Sequence, residues 1–217
     1  MKQNDPLSMA GLIHDLNNVF QTLVGVAMQL EEHPESAKLA ATVLRSVERG
    51  RRIAAGMQNG NAEWTPLETV LDQAEAFVTD FQTASRGPAV KIVRAVDRGV
   101  SLNGQYAWER VLINLFLNSI RAMPQGGAIR VAARITDRSA EIIVADEGTG
   151  IAEAVRERLF EPHVSAYGSS GLGLNIVQNI VKLNGGTIRA CNGENGGAEF
   201  TMSIPQVRLA SKSAVGH

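Results

Sequence analysis

Two glycine-bearing loops constrain this chain more than anything else in it: Asp146-Glu147-Gly148-Thr149-Gly150-Ile151, and Gly168-Ser169-Ser170-Gly171-Leu172-Gly173-Leu174. The first follows the apolar run Ile142-Ile143-Val144-Ala145, which places Asp146 at the end of a strand. The second opens an amphipathic helix. Glycine has no Cβ to hold a polyanion away from the main chain, and amides at a helix start favour phosphate. The pair therefore predicts a nucleotide pocket. In it, a buried Asp146 carboxylate accepts from an adenine amino group.

A third segment lies upstream. In Asn114-Leu115-Phe116-Leu117-Asn118-Ser119-Ile120-Arg121, the residues Asn114, Asn118 and Arg121 fall on one helical face. That face can hold a cation and a phosphate together. Any one of these pieces alone reads as an ordinary turn or a solvated helix face. Their common order, together with Leu159-Phe160-Glu161-Pro162 between the two glycine loops, is hard to obtain by accident.

In that order the chain resembles the ATP-binding domain of the sensor histidine kinases, within the wider family that includes gyrase, MutL and the heat-shock chaperone ATPases. The resemblance runs over roughly residues 65–206 and implies ATP and Mg2+ as cofactors. It makes Asn118 the magnesium ligand, Arg121 a phosphate contact and Asp146 the adenine reader. Gly148 and Gly150 supply the tight turn. Gly171 and Gly173 bring amides to the phosphates, while Leu172 and Leu174 seat the helix. Asn114 stands where gyrase-like enzymes carry a catalytic Glu; an amide cannot take a proton from water, so hydrolysis should be slow. The lid departs from the family pattern. His163 replaces an aromatic residue and no Thr-Lys pair follows, which implies modest nucleotide affinity.

The N-terminal part reads differently. Met9, Leu12, Leu16, Val19, Leu23, Val26 and Leu30 step by three and four, a heptad stripe on a long helix. Pro34 breaks it, and a second helix starts near Ser36 with Leu39, Val43, Leu44, Val47, Ile53, Ala54 and Met57 inward. Two such helices cannot bury both apolar sides alone, so a second copy is expected to complete a four-helix bundle. His14 falls opposite the stripe, in line with Asn18, Gln21 and Gly25. A neutral imidazole there is nucleophilic at cytosolic pH, and the adjacent Asp15 can stabilise its developing charge. His14-Asp15-Leu16-Asn17-Asn18 resembles a variant phosphoacceptor box. That implies phosphorylation of His14, activation by Asp15, and Asn18 positioning water to dephosphorylate a response regulator. His33 has no evident partner.

The expected fold is therefore α+β: an antiparallel helical hairpin (1–60) forming a dimeric four-helix bundle, then an α/β two-layer sandwich ATP-binding domain (65–206), then a disordered tail (207–217). Gly56 and Asn59-Gly60-Asn61 mark the linker. Thr65 is expected to cap a helix with Pro66 in its first turn, running to about Ala84. The formal net charge of -1 offers no basic field, which disfavours nucleic acid. The single Cys191 falls in a strand-like run and reads as a small buried thiol in a reducing compartment. No apolar stretch approaches the ~20 residues of a membrane helix. The expectation is a cytoplasmic histidine kinase that passes phosphate from His14 to a response-regulator receiver domain; fewer than ten residues precede the heptads, so either its signal arrives from a sensor or input partner or the chain is the kinase core of a longer protein. A histidine phosphotransfer scaffold with a partner-binding ATP-like domain is the alternative. A protein-serine kinase of the anti-sigma type is disfavoured by His14.

Overall fold

The computed structural model describes residues 9–31, 36, 39–47, 50, 54, 64–85, 87, 89–136, 139–164, 171–194 and 196–205; at 9–11, 14, 17 and 31 it describes the backbone only. Among these, helices and a mixed sheet alternate: α1 (Met9–Glu31), α2 (over 39–47), β1 (Trp64–Pro66), α3 (Leu67–Ser85), β2 (Val90–Val96), β3 (Ser101–Asn103), α4 (Gln105–Ala122), β4 (Gly127–Ile135), β5 (Ser139–Asp146), α5 (Glu153–Arg156), α6 (Gly173–Leu183), β6 (Thr187–Asn192) and β7 (Ala198–Pro205). Linker residues 55–63, Pro34 and the tail from 206 lie outside the described residues.

The sheet follows from period-two patterning. On β5, Ala140, Ile142, Val144 and Asp146 are buried while the residues between them are half-buried, and on β4 the buried Ile129, Val131 and Ala133 alternate with an exposed Arg130 and a half-buried Ala132. These strands form an antiparallel hairpin, with Ile129 opposite Asp146. The sheet order is β2-β4-β5-β7-β6, parallel between β2 and β4 and antiparallel elsewhere. A parallel pair needs a long crossover, and β3 with α4 supplies it. One face of the sheet is covered by α3, α4 and α6, whose Leu71, Val78, Trp108, Leu112, Phe116, Val177 and Val181 share a core with the inward residues of the strands. The Trp108 indole is satisfied by donating to the Asn103 carbonyl at 3.0 Å.

A second tie crosses from α3 to β2. Glu68, Asp72 and Glu75 lie on one face of α3 and all grip Arg94, at 3.2 Å for Glu68 and 2.7 Å for Asp72. Partial burial pulls the Arg94 pKa down, but the hydrogen bonds it donates to Asp72 and Glu75 outweigh that and the net shift is upward. The guanidinium is a permanent cation.

Two local expectations are corrected. Thr65 does not cap a helix: it lies in β1, buried opposite Leu102, and α3 begins at Leu67, whose N–H donates to the Val100 carbonyl at 2.9 Å. A cross-strand partner distant in sequence prevails over the local capping signal, and Pro66 at the end of a two-stranded ribbon costs no ladder bond. Cys191 is in a strand as expected but exposed, because β6 is the outermost strand and its side chain does not face the helices.

Ile13, Ala27, Ala40, Val47 and Ala54 are buried, and Phe20 and Leu23 of α1 line a groove together with Thr42, Val43 and Val47 of α2. Leu12, Val19, Leu23 and Val26, the heart of the predicted stripe, are instead 40–56% exposed in the single chain. At 100° per residue these four occupy one strip of α1, beside the buried Ile13 and Ala27.

Candidate nucleotide-binding site

The cleft forms where α4, the loop after β5 and the start of α6 converge. Its cavity volume is about 90 Å³, and its walls include Asn118, Arg121, Asp146, Gly150, Gly171, Gly173 and Leu174. The motifs read separately along the chain thus meet at one place. Its apolar lining comes from Ile151, Val155, Leu159, Val164 and Phe200, of which Phe200 on β7 carries no sequence motif.

Asp146 ends β5 at 5% exposure. Its Oδ1 accepts from the Gly148 amide at 2.9 Å and the Ala198 amide at 3.0 Å, and its Oδ2 accepts from the Ser119 hydroxyl at 2.9 Å. A carboxylate with three donors is satisfied in a buried site. The loop beyond it is fixed by close approach. A Cβ on Gly148 would lie 2.7 Å from that of Ala122, and Gly148 is absent from the cleft lining, so its role is to seat the loop on the end of α4. Asn192 clamps the far side, accepting from the Ile151 amide at 2.6 Å and donating to the Ile151 carbonyl at 3.2 Å. Gly197 faces Asp146 with φ 76, and a Cβ there would come within 1.8 Å of the Asp146 carbonyl oxygen. Ser119, Asn192 and Gly197 are site residues that the sequence reading missed; only Ser119, adjacent to Asn118, lay within a quoted motif.

At the other end, Asn118 is half-buried, and its Oδ1 accepts from Arg121 Nη1 at 3.3 Å. The amide oxygen is a hard neutral donor of the kind Mg2+ takes alongside phosphates, so the residue fits the metal. Asn114 does not line the cleft. Its Nδ2 donates to the Arg110 carbonyl at 2.8 Å, and its Oδ1 sits 2.9 Å from where a Gly173 Cβ would be. Asn114 thus packs α4 against the first residue of α6.

Gly171 precedes α6, which starts at Gly173. Its carbonyl accepts from the His163 amide at 3.0 Å, and a Cβ on Gly171 would strike the backbone of His163 and Val164. His163 is the one described non-glycine residue with positive φ, at 64. Asn175 on α6 ties the same segment by donating to the Phe160 carbonyl at 3.0 Å. Leu172 is corrected: it is 38% exposed and does not seat the helix, because the cap residue points away from the side of α6 that carries Val177 and Val181 inward. Leu174 does line the cleft.

On α1, Asp15 and Asn18 are exposed, as are Gln21 and Gly25 in the same line. The His14 side chain lies outside the described residues.

Residues 104–208 match the family model described as "Histidine kinase-, DNA gyrase B-, and HSP90-like ATPase". The chain carries a histidine kinase ATP-binding core. It is 29% identical to the sensor histidine kinase ZraS of Escherichia coli O157:H7 over 95% of this chain and 47% of that one. It is 38% identical to hybrid signal transduction histidine kinase D of Dictyostelium discoideum over 84% of this chain and 12% of that one. In fold it is similar to the catalytic domain of histidine kinase ThkA, with a TM-score of 0.55 and 25% identity over 66% of this chain and 97% of that one. The chain spans about half the length of the ZraS relatives it matches. Among the described residues, no helix is long and apolar enough to cross a membrane.

Proposed function

We propose that this chain is a homodimeric, cytoplasmic protein-histidine kinase that phosphorylates His14 from ATP and passes the group to an aspartate of a response-regulator receiver domain. The observation that carries the reading is the cleft, where Asp146, Asn118 and Arg121 line one cavity on a chain that also bears His-Asp-Leu-Asn-Asn on an exposed helix. A neutral imidazole nitrogen of His14 attacks the γ-phosphorus. The bond to the β-γ bridging oxygen breaks, ADP leaves, and the ring gives up a proton. Asp15 holds the other ring nitrogen and stabilises positive charge as the phosphoryl group arrives. Mg2+, held by Asn118, would neutralise charge on the phosphates. Arg121 contacts phosphate oxygens, and Asp146 orients the base. Asn18, one turn beyond His14, positions water against the receiver's aspartyl phosphate, which adds a phosphatase activity. The hairpin spans 1–60 and the ATP domain 65–206, with input from a sensor or partner.

The departures in the lid, with His163 in place of an aromatic residue and no Thr-Lys pair, favour one second reading, a phosphotransfer scaffold. Incubation with γ-labelled ATP and Mg2+ decides between them. The kinase reading expects an acid-labile, alkali-stable label that vanishes in His14→Gln while the dimer persists. Label retained in that variant moves the phosphoacceptor elsewhere, and no nucleotide binding at all leaves the scaffold.

A further inference from the structure

Asp146 is not free to present itself in any orientation, and Ser119 is the reason. An ionised carboxylate offers about four lone-pair sites. Two on Oδ1 are occupied by the Gly148 and Ala198 amides. On Oδ2 one is occupied by the Ser119 hydroxyl, which is 1% exposed and stands one residue beyond Asn118 on α4. Asp146 lines the cleft and Ser119 does not. One acceptor site therefore remains to meet a ligand, and its direction is set by a side chain that the ligand does not touch.

We infer that Ser119 is a specificity-positioning residue: by fixing Oδ2 of Asp146 it aims a single acceptor at the exocyclic amino group of adenine, and so sets the preference for a 6-aminopurine nucleotide. This rests on the nucleotide reading of the cleft and adds a residue to it. The serine proton is committed to Asp146, so the pair acts as acceptor only. A base with hydrogen in place of the amino group leaves that buried acceptor unmatched, and the site rejects it for that reason. Without the hydroxyl, Oδ2 gains a second open site, water can compete for it, and the preference falls. Overall packing changes little, because Ser and Ala differ by one oxygen.

The test is calorimetry on the full chain with Mg2+ present, using ATP and purine riboside triphosphate, which lacks the 6-amino group. The wild type is expected to prefer ATP by roughly tenfold or more, the scale of one hydrogen bond to a charged group. Ser119→Ala should bring that ratio close to one while leaving affinity for purine riboside triphosphate within about twofold, and Ser119→Cys, a weaker donor of similar shape, should fall between. Equal loss of both nucleotides in Ser119→Ala would show a merely structural role and overturn the inference, as would an unchanged ratio. Should Ser119→Ala not fold, a wild-type ratio in Ser119→Cys overturns it equally. A wild type that binds ATP without preferring it overturns this inference alone. A wild type that binds neither nucleotide overturns the nucleotide reading as well.

Discussion

Helices α1 and α4 are both amphipathic in sequence, yet they end in opposite circumstances. The apolar side of α4, with Trp108, Val111, Leu112, Leu115 and Phe116, is sealed against the sheet of its own chain. The strip of α1 formed by Leu12, Val19, Leu23 and Val26 stays open, although Ile13 and Ala27 beside it are buried. The same kind of periodicity thus produces a self-sufficient core in one place and an open apolar strip in the other. The difference lies in what each helix has beside it. A five-stranded sheet has a whole face to cover, whereas a single neighbouring helix covers one strip.

If the ATP domain is closed in this way, its tightest contact should be intolerant. Gly197→Ala puts a methyl group within 1.8 Å of the Asp146 carbonyl oxygen on a residue with positive φ. A loss of about 3 kcal/mol or more is expected, together with loss of ATP binding, and thermal melting with calorimetry checks both. A stable, nucleotide-binding variant would mean that the loop has slack and the contrast with the hairpin is weaker than drawn.

The open strip predicts the opposite pattern. Leu23→Glu with Val26→Glu places two charges on the exposed face of α1, which should convert a dimer to monomer while the melting temperature of the ATP domain stays within a few degrees. Sedimentation and calorimetry read the two quantities separately. Dimer persistence in the double variant would assign the strip to something other than a second copy.

Within the hairpin, finer separation is possible. Asp15→Asn should slow labelling of His14, because an amide stabilises a developing imidazolium less well than a carboxylate, whereas Asn18→Ala should leave labelling nearly intact and slow loss of phosphate from the cognate receiver. Time courses of label on each protein distinguish them. Equal losses in both activities for Asn18→Ala would indicate damage to the helix. The smallest effect belongs to Leu172→Ala in the closed domain. Leu172 is exposed, so unfolding free energy should change by no more than about 0.5 kcal/mol, and a larger change by denaturant titration would restore its role in seating α6.

Much of the ATP domain was legible because local chemistry and global position agree there. Strand β6 covers Thr187–Asn192 and includes the run in which Cys191 reads as strand, since Gly185-Gly186 stops the preceding helix and the apolar alternation resumes at once. Asp146 was found from its place after an apolar run. Thr65 was misread because its burial depends on Leu102, which lies far along the chain. Leu172 was misread because a motif leucine can lie on either side of a helix start, and only the packed helix decides which.

By itself the sequence determined which residue types share a periodic face and where the backbone must lack a Cβ, since both depend on near neighbours and on steric limits. It therefore determined the membership of the cleft at Asn118, Arg121, Asp146, Gly150, Gly171, Gly173 and Leu174. Tertiary structure alone decided that Ser119, Asn192, Gly197 and Ala198 converge on the loop from Asp146 to Ile151. Those contacts join α4, β5, β6 and the start of β7, and a hydrogen bond between segments so far apart in the chain leaves no periodic trace in either one.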